Sequence, residues 1–125
     1  MLSNLVENII IPAHENFSSE LNTFNTTISN FEDERTIQNL EFVQEQFIET
    51  YKAWQHIEMF NIGYAEEIYY VSKMNIYPAN VTRIMSNISA QDIDMNNPYN
   101  YAAQGFPAVD YLLFGLAESN DLILN

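Results

Sequence analysis

The residues that could do chemistry in this chain are mostly carboxylates, carboxamides and phenols. Asp92-Ile93-Asp94-Met95-Asn96 matches the opening of a calcium-binding loop, in which Asp and Asn alternate so that their oxygens converge on one cation. The remainder departs from that pattern: Asn97 stands where the loop needs glycine, and Ala103 where it needs a bidentate Glu. The default expectation is therefore an Asx-rich loop that hydrogen-bonds its own backbone. Neither His14 nor His56 has a carboxylate or a second histidine three or four residues away, so the paired-ligand chemistry of H-E-x-x-H helices is excluded. Both histidines are expected at the surface or half-buried. The chain has no Cys, which removes disulfides, thiolate ligands and a Cys nucleophile. It also lacks a G-x-S-x-G elbow, a phosphate-binding loop and a dinucleotide fingerprint.

A second group is aromatic: Tyr64, Tyr69, Tyr70 and Tyr77, followed by Tyr99, Tyr101 and Tyr111. These could line a ligand cleft or a partner surface, but helical spacing favours the core and its margin, where a ring is buried and its hydroxyl stays wet. Asn16, Asn25, Asn80 and Asn87 each begin an N-x-[ST] triplet, which matters only in a secretory eukaryotic setting.

Composition narrows the class of partner. Seventeen acidic residues against four basic ones give a net charge of −13. Arg35, Lys52, Lys73 and Arg83 cannot neutralise a row of phosphates, so nucleic acid and anionic lipid are disfavoured, and cations or basic proteins are the electrostatic complements. With 47% hydrophobic residues over 125 positions there is material for one buried core, and a single domain over 1–125 is expected. No stretch is apolar enough over about 18 residues for a membrane span, and the first dozen residues do not have the charge pattern of a signal peptide.

The elements that must carry these residues are helical. Leu2, Leu5, Ile9, Ala13, Phe17, Leu21, Phe24, Ile28 and Phe31 recur in steps of three and four, which predicts a helix over 2–30 with one apolar stripe. Pro12 lies within it and should kink or restart it. A turn at 30–34 leads to a second stripe through Ile37, Leu40, Val43 or Gln44, Phe47, Tyr51, Trp54 and Ile57 or Glu58, hence a helix over 34–61 ended by Gly63. Shorter helices are expected over 64–74, closed off by Pro78, and over 80–89, capped by Asn80. The stretch 92–100 reads as a loop, and Gly105-Phe106-Pro107 opens a last helix over 107–118, with Ala108 to Leu116 as its apolar face. The fold class is all-α, an up-down helical bundle.

The run Gly105-Phe106-Pro107-Ala108-Val109-Asp110-Tyr111-Leu112-Leu113-Phe114-Gly115 resembles the signature of the imelysin-like (peptidase M75) family, a G-x-H-x-x-E motif followed by Y-L-L-[FW]-G. Ile11-Pro12, Trp54 with Glu58, Phe60-Asn61-Ile62-Gly63 and Ile76-Tyr77-Pro78 resemble the family in order and spacing. The resemblance implies one half of a two-bundle all-α fold. It also implies a periplasmic or cell-surface lipoprotein associated with metal or iron handling, some members being called peptidases. Gly105 matches the motif's glycine, Pro107 its histidine and Asp110 its glutamate. Residues three apart on a helix share a face and could share a cation, but Pro107 has no donor atom. Asp110 alone is then either a hard oxygen ligand or an acid in the first helical turn, stabilised by the helix dipole. Glu58 matches a family glutamate and could face Asp110 across a bundle; otherwise it is a solvated helix-end residue.

The leading expectation is a non-catalytic binding domain of an exported imelysin-like protein, serving metal or iron acquisition or surface interactions, with its metal site degenerate. No cofactor is assigned beyond a divalent cation or iron. One alternative is a metallopeptidase fragment whose other ligands lie in a C-terminal half. Another is a helical module that forms a homodimer or packs on a missing C-terminal bundle.

Overall fold

The computed structural model describes residues 1–125, in helices joined by turns and irregular segments, with no strand. In chain order these are α1 (Leu2–Leu5), a π-helical turn (Val6–Ile10), α2 (Ile11–Asp33), α3 (Ile37–Gln55), α4 (Tyr64–Glu67), α5 (Tyr70–Met74), α6 (Val81–Ala90), a 3₁₀ helix (Pro98–Ala103), α7 (Gly105–Asp110), a second π-helical turn (Tyr111–Gly115) and α8 (Asn120–Leu124). The all-α class expected from periodicity holds. The chain gathers into two compact units, one of Met1–Phe60 with Ser119–Asn125 and one of Asn61–Glu118.

The first unit is built on the antiparallel pair α2 and α3. Phe17 packs on Trp54 with ring centroids 5.8 Å apart, and Phe24 on Phe47 at 6.0 Å, so the partner's number falls as the residue number rises. Leu40, Val43, Ala53 and Ile57 complete the buried apolar set. A polar seam runs through it: Thr50, fully buried, donates to the carbonyl oxygens of Glu20 at 3.2 Å and Gln46 at 2.8 Å. Gln46 Nε2 donates to the Glu20 carboxylate at 2.6 Å. These bonds satisfy polar groups that would otherwise be desolvated at a cost of about 1–3 kcal/mol each.

Several boundaries differ from expectation. Pro12 cannot donate to the Asn8 carbonyl, and the chain widens into the Val6–Ile10 π turn instead of breaking. The first long helix runs to Asp33 rather than ending at 30. Thr36 starts α3, its Oγ1 accepting from the Asn39 N–H at 3.1 Å. That helix ends at Gln55, well short of 61, because the backbone tightens into bonds from His56 N to Ala53 O and from Ile57 N to Trp54 O, a turn that buries Ile57. Near the C-terminus, Gln44 and Asn120 exchange two amide hydrogen bonds of 2.9 and 3.1 Å, which dock α8 on α3.

In the second unit the expected helix over 64–74 is two short ones, because Tyr69 adopts a left-handed conformation with φ 55°. Met74 ends α5, and the Tyr77–Pro78 peptide is cis. Asn80 caps α6 as expected, its Oδ1 accepting from the Arg83 N–H at 3.0 Å. The centre of this unit is Asn100, 3% exposed. Its Oδ1 accepts from Arg83 Nε at 2.8 Å and Asn87 Nδ2 at 3.1 Å, and its Nδ2 donates to the Asp94 carbonyl at 2.9 Å. One carboxamide thereby ties α6 to both ends of the 92–103 segment. Replacing Asn100 with Ala leaves a guanidinium and a buried carboxamide without their acceptor; urea unfolding monitored by circular dichroism should show a loss of about 2–3 kcal/mol.

Candidate functional site

The signature segment lies in the second unit, and its geometry begins with Gly105. There φ is +70°, and a Cβ added to this residue would lie 2.6 Å from the Lys73 carbonyl oxygen and closer still to that of Met74. Both oxygens belong to the end of α5. Only a residue without a side chain lets the backbone turn into α7 this close to another helix terminus. The next three residues are consequently enclosed: Phe106 is 6% exposed, Ala108 5%, and Pro107 is among the most completely buried side chains of the chain. Ile84, Ala103 and Ala108 form the local apolar core, with Ala79, Tyr111 and Leu112 packed against it.

Pro107 therefore presents a saturated ring, enclosed on all sides, at the position that matches the motif's imidazole. Asp110 is half-buried and is the last residue of α7, three positions beyond Pro107. It sits past the first turn rather than within it, so the helix-dipole role expected of it is weakened. The chain then enters the Tyr111–Gly115 π turn, where Gly115 approaches the Tyr111 ring so closely that a Cβ would lie 2.7 Å from a ring carbon. The apolar face expected over 108–116 is only partly realised: Ala108 is buried, Leu112 is half-buried, and Phe114 and Leu116 are exposed.

Glu58 belongs to the first unit. It lies beyond the end of α3, half-buried in the turn that follows Gln55, with its N–H bonded to the Trp54 carbonyl at 3.0 Å. His56 caps α3 and is exposed. His14 Nδ1 lies 2.9 Å from the Ile10 carbonyl oxygen and donates to it, with the His14 ring 6.5 Å from that of Phe60. Within neither unit do three or more His, Asp or Glu side chains come together to hold a metal ion.

The 92–97 loop closes on itself as an Asx-rich loop. Asp94 Oδ1 accepts from the Asn96 N–H at 2.9 Å, and Asn97 Oδ1 accepts from the Tyr99 N–H at 3.0 Å. Lys73 Nζ donates to Asn96 Oδ1 at 2.9 Å and lies 6.0 Å from the Tyr101 ring centroid. Ala103, at the position where a calcium loop ends on Glu, is buried in the core of this unit.

The tyrosines correct an expectation. None of the seven is buried: Tyr64, Tyr69, Tyr77 and Tyr99 are exposed, and Tyr70, Tyr101 and Tyr111 half-buried. Short helices leave room for few rings beneath them, so the phenols stay at the surface. Burial still pushes the Tyr70 hydroxyl above its ordinary value of 10.0.

A family model described as Peptidase_M75, Imelysin, matches residues 10–123. The chain belongs to the imelysin family. Neither a curated protein nor a solved structure matches it. The chain carries G-F-P-A-V-D at 105–110, where Gly105 has a left-handed conformation and surroundings that leave no room for a side chain, and Pro107 is enclosed. The residues present do not fit a His/Glu metal pair, because one of the two has no donor atom. Sequence reasoning missed Asn100 and Gln104. Both are polar residues flanked by tyrosine, alanine and glycine, and nothing in those neighbours marks them for burial.

Substituting Gly105 with Ala should cost at least about 3 kcal/mol, since left-handed backbone and a backbone clash add together. Thermal unfolding of the variant would be expected well below that of the parent, with helix content reduced even at low temperature.

Proposed function

We propose that the chain is a non-catalytic binding domain of an exported imelysin-family protein, periplasmic or anchored at the cell surface, that serves metal acquisition or surface interactions. The observation that carries this reading is the buried Pro107, which fills the motif's imidazole position with a ring that cannot bind a cation. Asp110 at the glutamate position keeps one oxygen ligand, which by itself suits weak, hard-cation contact rather than a transition-metal site. The retained family scaffold and the strongly acidic charge support a role in binding basic partners or delivering cations rather than in bond cleavage.

Metal analysis of the purified chain after incubation with Fe(II) or Zn(II) and gel filtration should give well under one equivalent of metal. The double variant Pro107→His, Asp110→Glu should retain measurably more. Stoichiometric metal in the parent that Asp110→Ala abolishes would overturn the degenerate-site reading.

A second reading, a helical interaction module, is favoured by the first unit's N-terminal face. Leu2 is 79% exposed, Ile9 52% and Met59 74%, with Leu5 and Val6 also exposed. Apolar residues repeated along one helical stripe normally pack on a neighbour. In sedimentation velocity over a wide concentration range the parent should then associate, while Ile9→Lys should remain monomeric; a strictly monomeric parent would count against it.

A further inference from the structure

In the first unit the seam between α2 and α3 opens into a surface groove, lined by Thr27 and Asn30 of α2 and by Phe42, Glu45, Ile48 and Glu49 of α3. Phe42 is 49% exposed and Ile48 44%, so an aromatic ring and a branched aliphatic chain stand in water. Helical spacing places Glu45 and Glu49, one turn apart, between these two apolar side chains. Glu49 holds Lys52 at 2.8 Å in an exposed pair of the kind that exchanges readily, and Glu45 has no ion pair. Eleven acidic residues against two basic ones belong to this unit, so the groove lies in the more strongly negative part of the chain.

We propose that this groove docks an amphipathic helix of a basic partner protein, whose arginines enter between Phe42 and Ile48 to meet Glu45 and Glu49. The proposal rests on the reading of the chain as a binder of basic partners and names the surface that does it. Arginine fits the order apolar, acidic, acidic, apolar. Its methylene stem covers apolar surface, its guanidinium stacks on an aromatic face such as that of Phe42, and its planar fork pairs with a carboxylate. The lining of α3 from Phe42 to Glu49 spans about 10 Å, which gives two turns of a partner helix room to lie in the groove. A metal ion would satisfy the carboxylates but leave the two apolar side chains in water. A second copy is disfavoured, because it brings a net charge of −13 and the same glutamates to the contact. The chain's own last helix, Asn120–Leu124, has no basic residue and is seated through Gln44, which does not line the groove.

The test is fluorescence anisotropy of a labelled helical peptide of about four turns, made of leucine and alanine with arginine along one face, titrated with the full chain at fixed ionic strength. Expected is saturable one-to-one binding. Glu45→Gln with Glu49→Gln should weaken it about fivefold, the effect of two exposed charge pairs, and Phe42→Ser about threefold. Glu66→Gln with Glu67→Gln makes the same change of net charge at exposed positions of the other unit and should alter binding less than about twofold. Backbone amide NMR of the parent, which needs no variant, should show peptide-induced shifts centred on 27–30 and 42–49. Equal weakening by the two double variants, or shifts centred elsewhere, would sink the groove while leaving a basic partner in place. No saturable binding would sink both. Spermidine displacing the peptide at equal concentration would make this a polyamine site, and the same shifts on concentrating the chain without peptide would assign the groove to a second copy; either overturns the proposal.

Discussion

The second unit turns on an absence of side chain. At Gly105 the backbone passes so close to the carbonyl oxygens of Lys73 and Met74 that a methyl group cannot be accommodated, and its φ of +70° is one that other residues avoid. Because the chain can make this approach, α7 starts against the end of α5 and carries Phe106, Pro107 and Ala108 straight into the interior. The role of Gly105 is thus geometric. Pro107 suits its place as well: proline at the third position of a helix needs no backbone donor, and its compact ring fills a buried site without an unsatisfied polar atom.

Polar pairing completes what apolar burial begins in both units. Thr50 and Gln46 stitch α3 to the Glu20 turn of α2, Gln44 and Asn120 bind the last helix to α3, and Asn100 gathers Arg83, Asn87 and Asp94. Carboxamides do most of this work. They can donate and accept at once, and a chain with four basic residues has few opportunities to satisfy its interior through ion pairs; the Lys52–Glu49 bridge lies on the surface. The same chemistry explains why Gln104 stands out, since it is the carboxamide that this pattern of mutual satisfaction leaves out.

The acidic charge discourages polyanions, and a good share of the apolar and phenolic side chains face outward, among them Ile9, Tyr64 and Tyr99. Exposed aromatic and apolar groups on short, polar-stitched helices are suited to binding surfaces, which need apolar area without a rearrangement of the core.

Periodicity alone was enough to establish the helical class, the antiparallel long pair and the burial of Phe17, Phe24, Leu40, Phe47 and Trp54, because a stripe every three to four residues lies on one side of a helix, but Leu2, Leu5, Ile9, Leu21 and Ile37 of the same stripes are exposed. Cap chemistry marked Asn80, and the glycine and proline at 105–107 marked the start of α7, since both act through local backbone geometry. Tertiary structure decided the rest. Where α3 ends depends on turning Ile57 into the core, the division of 64–74 depends on a left-handed Tyr69, and the docking of α8 depends on an amide 76 residues away in sequence. The outward placement of the tyrosines, the hub at Asn100 and the isolation of Gln104 likewise follow from which groups meet in space, and no local pattern of residue types encodes that meeting.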